Sequence, residues 1–299
     1  MSRNIEELKK QANTIRKDIL EMIYNIQSGH LGGSFSEVEV LTALYFDEMN
    51  YDPKDPKKPD RDRFILSKGH TAPALYATLA NAGFFPKEKL MTSFRRVNSM
   101  LQGHPDIKKT PGVEMTSGSL GIGLSAANGM ALGNRHQRIN SRVYCMIGDG
   151  EINEGQIWEA AATASHYHLD NLVAFIDVNG LQNDAETKKV KDMLDIAKKW
   201  EAFGWNVIEI NGHDFKEIFA ALDAARACKG RTTALVSHNV KGKGVSLMEN
   251  DVAFNGKTPT KEEYENGLKE LNEALSLQQG GLYELWSQSL IRCQTMVKT

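Results

Sequence analysis

The stretch that most constrains the fold of this chain runs from Val143 to Asn183. It opens with the apolar run Val143-Tyr144-Cys145-Met146-Ile147, which reads as a buried strand. Gly148-Asp149-Gly150 then breaks the pattern, as a tight strand-to-helix turn does. Between Glu154 and His168, Ile157, Ala161, Ala162 and Ala164 fall at helical spacing. Leu172 to Ile176 reads as a second buried strand, ending at Asp177-Val178-Asn179-Gly180. Strand, helix, strand is the crossover unit of a parallel sheet, and it brings both strand ends to one edge. Asp149 and Asn179, thirty residues apart in sequence, are therefore expected to be neighbours in space.

That placement has a chemical meaning. An Asp oxygen, an Asn amide oxygen and a loop carbonyl are hard ligands that suit Mg²⁺ or Ca²⁺. Two glycines let the backbone approach a phosphate, and the N-terminus of the following helix favours its charge. The inferred ligand is a diphosphate bridged to the protein by a divalent cation. Gly-Asp-Gly and Asn-Gly are also ordinary turn formers; it is the Asn at the second strand end that favours a site.

The rest of the chain alternates in the same way. Apolar positions from Ile5 to Ile26 have helical spacing and end at Ser28-Gly29. His30-Leu31-Gly32-Gly33-Ser34 reads as a glycine-rich loop, and Ser36 as an N-cap with Glu39 as its reciprocal partner, starting a helix to Met49. Arg63–Leu66, Trp205–Ile210 and Thr233–Ser237 read as strands; Thr71–Ala82, Met193–Phe203 and Phe215–Cys228 read as helices. Residues 119–134 are small and apolar, which suits a helix packed closely on another backbone, including at a subunit interface. Lys241-Gly242-Lys243-Gly244 reads as a flexible basic loop, and residues 260–276 as an amphipathic helix carrying Tyr264, Leu268 and Leu271. The spacing of Leu282, Trp286, Leu290 and Ile291 suits a further short helix. The expected architecture is α/β, a mostly parallel sheet with helices on both faces. It comprises a binding domain over residues 1–260 and a helical tail over 261–299 that is a candidate docking element for a partner. Ligands of such sheets bind beyond the carboxyl ends of the strands.

Composition removes other classes. The net charge of −2 gives no reason to expect nucleic acid or an anionic membrane surface, and no apolar run approaches the length of a membrane span. The first residues lack an apolar signal core, and the three cysteines, Cys145, Cys228 and Cys293, form no Cys-x-x-Cys. A reduced, cytoplasmic setting is expected.

Gly-Asp-Gly followed by Asn-Gly resembles the thiamine diphosphate motif, and its flanks resemble transketolase. The resemblance runs from about Asn4 to Pro259 and matches the N-terminal, diphosphate-binding part of that family. It implies a thiamine diphosphate fold and transfer of a two-carbon ketol unit from a ketose to an aldose. It also implies a partner, the C-terminal, pyrimidine-binding transketolase subunit, in a two-plus-two heterotetramer. That partner would supply the glutamate that activates the cofactor and most of the arginines that bind sugar phosphates.

Of the eight histidines, three sit in loops among small residues: Ser28-Gly29-His30, Lys68-Gly69-His70 and Gly103-His104-Pro105. Each matches a transketolase histidine. The resemblance places His70 near the cofactor diphosphate, His104 near the donor's C1 hydroxyl and His30 near the acceptor's aldehyde oxygen. Neutral imidazoles can donate to a developing oxyanion and shuttle protons near neutral pH. Asp149, Asn179 and the Leu181 carbonyl would hold the metal, with Gly150 beside the diphosphate. Gly118, Ser119 and Leu120 resemble the loop that contacts the cofactor's rings. Glu154 matches a glutamate of the interface hydrogen-bond network, although a first-turn glutamate also simply suits a helix dipole. Lys241 matches a lysine near the diphosphate, although a loop lysine is also simply solvated. Where the family carries Trp-His-Gly, this chain has Phe254-Asn255-Gly256; Asn255 can hydrogen-bond but cannot carry a proton. Two further readings share parts of the pattern: the α subunit of a 2-oxo acid dehydrogenase, and a cofactor-binding subunit without turnover.

Overall fold

A computed structural model of the chain describes residues 3–183 and 185–274. Five strands build the central sheet: β1 (Arg63–Leu66), β2 (Val143–Gly148), β3 (Leu172–Val178), β4 (Asn206–Asn211) and β5 (Thr233–His238). They lie side by side in the order β1-β2-β3-β5-β4, and every pair is parallel. The mostly parallel α/β architecture expected from the crossover pattern is present.

Alternation along the strands splits the core in two. Phe64, Leu66, Tyr144, Met146, Val173, Phe175 and Leu235 point to one face. There they meet α1 (Ile5–Ile26), α2 (Leu31–Ser36), α3 (Ala72–Asn81) and the helix Phe215–Ala227. Ile65, Val143, Cys145, Ile147, Leu172, Ala174, Ile176 and Ala234 point to the other. There they meet α4 (Gly123–His136), α5 (Gly155–His166) and the Trp200 and Trp205 indoles. Both strands of the Val143–Asn183 unit are buried on both sides, so they read as continuous apolar runs.

Local chemistry sets the element ends. The Asn4 side chain caps α1 by accepting from the Glu7 N–H, and Gln27 closes it in the left-handed region at φ 52°. Thr260 and Glu263 form a reciprocal capping box that starts the helix over 261–274. That helix stacks Tyr264 on Tyr24 of α1 and buries Leu271 in the core. The helix expected around Leu282–Ile291 lies outside the described residues. α4 begins with Gly123, where a Cβ would sit 2.4 Å from the Ser67 side chain just after β1. Its other glycines, Gly129 and Gly133, face open space. The expected close packing of this small-residue segment is thus concentrated at the helix start.

Two expectations are corrected. Residues 31–34 are not a loop but the first turns of α2, whose six residues are all buried. Ser36 ends that helix instead of capping the next. Its hydroxyl donates to the Gly33 carbonyl and to Asp177 Oδ2, across the site. Glu39 pairs with Arg16 at 2.7 Å and with His213 at 2.9 Å, instead of reaching back to Ser36. A Ser-x-x-Glu spacing carries no information about a long-range partner that outcompetes the local bond.

Candidate functional site

The carboxyl ends of β1, β2 and β3 converge on a cavity of about 460 Å³. Its lining includes His30, His70, His104, Gly118, Leu120, Asp149, Gly150, Glu154, Asn179, Leu181, Lys241 and Asn255, which the sequence reading singled out. Ser119 is exposed and does not line it.

The turn after β2 is held through Asp149. Its carboxylate accepts from the Gly150 N–H at 2.8 Å and, across the crossover, from the Gly180 N–H at 2.7 Å. Burial raises the pKa of this carboxyl to about 6, and the nearby Asp177 charge adds to the effect. Asn179 donates to Asp177 Oδ2 at 3.1 Å and accepts from the Leu181 N–H at 3.2 Å. Lys241 donates to the Leu181 carbonyl at 3.2 Å and to Asn255 Oδ1 at 2.9 Å. The expectation of a flexible basic loop is therefore corrected: Lys241 is 3% exposed. Gly242 makes the turn, with φ 82° and a missing Cβ that would meet the Met248 carbonyl at 2.1 Å. Burial lowers the Lys241 ammonium to about 8, against the pull of Asp149 and Asp177.

Behind these groups lies a buried ion cluster that the sequence reading missed. Lys68 is an ion-pair partner of Asp177, and its Nζ lies 2.9 Å from Glu37 Oε2. All three side chains are at most 3% exposed. Asp177 also accepts from Ser36 at 2.7 Å and Asn239 at 2.5 Å, which with Lys68 hold its carboxyl below the usual range despite burial. Glu37 has Lys68 and the Thr71 hydroxyl beside it, yet burial raises it to about 7. Glu151, the residue after the Gly-Asp-Gly turn, was missed as well. It accepts from Ser67 Oγ at 2.5 Å, the Gly121 N–H at 2.8 Å and the Gly148 N–H at 3.1 Å. One buried carboxylate thus ties the end of β1, the approach to α4 and the end of β2 together.

The three loop histidines meet at the other end of the cavity. The rings of His30 and His70 lie 5.1 Å apart, edge to face. Burial, with Lys68 nearby, pushes His70 down to about 3, so it is neutral at any working pH. His30 and His104 are also lowered, first by burial. His30 Nδ1 sits 2.6 Å from the Asn255 carbonyl oxygen. A carbonyl only accepts, so the neutral ring carries its proton on Nδ1 and leaves Nε2 as an acceptor. Glu154 stands exposed at the N-cap of α5, on the cavity rim, without a capping hydrogen bond.

Asn255 touches the site twice, through its carbonyl to His30 and its side chain to Lys241. Asn255→His keeps the first contact and alters the second. The expected result is a chain of unchanged melting temperature with altered kcat or acceptor preference. Unchanged kinetics across several aldoses would show that the side chain plays no part.

The fold and cleft define a parallel α/β protein with a polar cavity at the carboxyl edge of its sheet, lined by hard oxygen donors and neutral imidazoles. Over residues 7–279 the sequence matches the family described as "Transketolase, thiamine diphosphate binding domain", and the chain belongs to that family. It is 45% identical over 273 residues to a 6-deoxy-6-sulfo-D-fructose transketolase subunit of Clostridium sp. (strain MSTE9), covering 91% of this chain and 99% of that one. It is 41% identical over 271 residues to an apulose-4-phosphate transketolase subunit of Phocaeicola vulgatus, covering 91% and 96%. Among solved structures, a transketolase from Leishmania mexicana superposes with a TM-score of 0.82 at 27% identity, covering 98% of this chain and 47% of that one. The chain thus spans nearly the full length of the two subunits, but about half of the solved enzyme.

Proposed function

We propose that this chain is the diphosphate-binding subunit of a two-chain transketolase, moving a two-carbon ketol unit from a ketose to an aldose. The observation that carries this reading is the convergence of Asp149, Asn179 and the Leu181 carbonyl on a cavity that also holds three neutral loop histidines. Two relatives are named for sugars bearing a sulfonate or a phosphate, so an anionic sugar is the proposed substrate. Residues 1–260 are proposed as the cofactor-binding domain and 261–299 as the tail, with a cytoplasmic, heterotetrameric assembly.

The residues fit a divalent cation. Asp149 is a buried carboxylate whose protein donors are two N–H groups, next to a second carboxylate, and the Leu181 carbonyl already accepts from an ammonium. Asp149, Asn179 and the Leu181 carbonyl would hold Mg²⁺ or Ca²⁺, with Gly150 and Lys241 beside the diphosphate. When bound, thiamine diphosphate supplies the nucleophilic carbon that carries the ketol unit. His30, with Nε2 free, accepts a proton from a sugar hydroxyl and, once charged, donates it back to an oxyanion. His104 and His70 hydrogen-bond sugar or diphosphate oxygens as neutral rings. Gly118 and Leu120 pack on the cofactor's ring side, with Ser119 and Glu154 at the rim facing the partner.

Asp149→Ala tests the assignment. It removes the carboxylate that balances the cation, so cation-dependent cofactor affinity should fall at least about 100-fold, since even residues that merely orient ligands cost about 10- to 100-fold. Calorimetry on the assembled enzyme reads it; unchanged affinity would sink the metal assignment.

A further inference from the structure

Arg95 lies outside the machinery described above, yet it touches both histidine loops. Its Nη1 donates to Ser28 Oγ at 2.9 Å, two residues before His30. Its guanidinium packs on Gly103, the neighbour of His104: a Cβ built there would lie 3.4 Å from Cζ. Its own N–H donates to the Leu101 carbonyl at 2.8 Å, closing the loop that leads to His104. The residue sits in the left-handed region at φ 51°, which costs a non-glycine residue energy unless its surroundings fix it. No carboxylate pairs with it among the described residues, and its Nε is buried without a partner. A half-buried guanidinium without a counter-charge is costly to keep, even with the Phe94 ring centroid 5.7 Å from its Cζ.

We propose that Arg95 is a positioning residue that clamps the His30 and His104 loops together at the sugar end of the cavity. The inference rests on the transketolase reading for its assay but not for its geometry. A fork with several fixed donors can hold Ser28 while lying flat on Gly103; an ammonium cannot do both. The charge has a second effect in the same direction. Arg95 disfavours protonation of both imidazoles, and it is the charge acting on His104. His30 also faces His70, His104 and Lys241, and His104 also faces His30 and His70. Burial first, and these charges with it, favour the neutral rings, the form in which His30 Nε2 accepts a proton.

The test uses the full chain and the chain assembled with its partner. Arg95→Gln removes charge and fork, Arg95→Lys keeps the charge alone, and Ser28→Ala removes the tether alone. Histidine ring NMR on the full chain should show His30 and His104 titrating at higher pH in Arg95→Gln and unmoved in Ser28→Ala. In the assembled enzyme kcat should fall about tenfold or more in Arg95→Gln and Arg95→Lys, the cost of misplacing reacting groups. Cofactor affinity should hold, and the acid limb of the rate profile should move to higher pH only in Arg95→Gln. The sign follows from the neutral form being active: a raised histidine pKa removes it at higher pH. Unmoved histidine titrations with unchanged kcat would overturn the proposal. An inactive wild-type assembly would instead count against the transketolase reading, leaving the NMR result to judge Arg95.

Discussion

Lys68→Met should destabilise the chain by about 3–5 kcal/mol, the cost of removing one member of a buried ion pair. Lys68 is the counterion of both Asp177 and Glu37, and all three are closed to water. Methionine fills similar space but leaves two buried carboxylates facing each other with no cation between them. Asp177 keeps donors from Ser36, Asn239 and Asn179, whereas Glu37 keeps the Thr71 hydroxyl beside it. Glu37 is already raised to about 7 with the lysine present, so in the variant it should be the group that takes up a proton. A carboxyl whose folded pKa lies above its unfolded value favours folding when protonated and opposes it as pH rises. The deficit should therefore be larger at pH 8 than at pH 6. Denaturant unfolding at the two pH values reads both size and sign. A loss below about 1 kcal/mol, or one independent of pH, would show that the cluster is not the coupled unit described. Asp177 also fixes the Asn179 amide, so cofactor affinity should weaken in the same variant.

This cluster marks what the sequence could and could not reveal. Asp149 and Asn179 were legible because a crossover of fixed length returns two strand ends to one edge, and turn glycines punctuate those ends. The strands were legible because burial on both faces makes them uninterrupted apolar runs. Lys68, Glu37 and Glu151 were not legible, because a charged residue in a sequence looks solvated unless its partner is known. Their partners lie 109, 31 and 84 residues away or at similar distances. The signal that could have found Lys68 and Glu151 is adjacency: one precedes Gly69-His70 and the other follows Gly-Asp-Gly, where a charge has little room to reach water. The false N-cap at Ser36 has the same cause. Local spacing predicted a local bond, and Asp177 at 2.7 Å, 141 residues on, won the hydroxyl. The tautomer of His30 also lay beyond reach, since it is fixed by a backbone carbonyl 225 residues away.

The chain alone should carry out no measurable ketol transfer, with turnover at least about 100-fold below that of the pair, the scale of a missing acid–base group. The cavity has one finished wall. Asp149, Lys68 and Asp177 lie deep and His30 and His70 are half-buried, whereas His104 is exposed and Leu120 and Val190 on the lining are 37% and 53% exposed, with Glu154 and Lys191 beside them at the rim. Ile122, next to Leu120, is a further 37% exposed. A reactive carbon in such a site would face water, and transferring a ketol unit without losing it requires water to be shut out. Of the carboxylates lining the cavity, Asp149 is proposed for the metal, while Asp177 and Glu151 are consumed by protein donors. Glu154 remains, exposed at the rim. The missing wall and the missing carboxylate are supplied together if a second, pyrimidine-binding chain docks over the rim. The measurement is ketol transfer by this chain with cofactor and Mg²⁺, repeated after adding such a chain, alongside the mass of the complex in solution. Activity that appears only with the partner, in a particle of two copies of each, is the expected result. Full turnover by the isolated chain would end the two-chain reading, and a complex without turnover would favour a binding role over an enzymatic one.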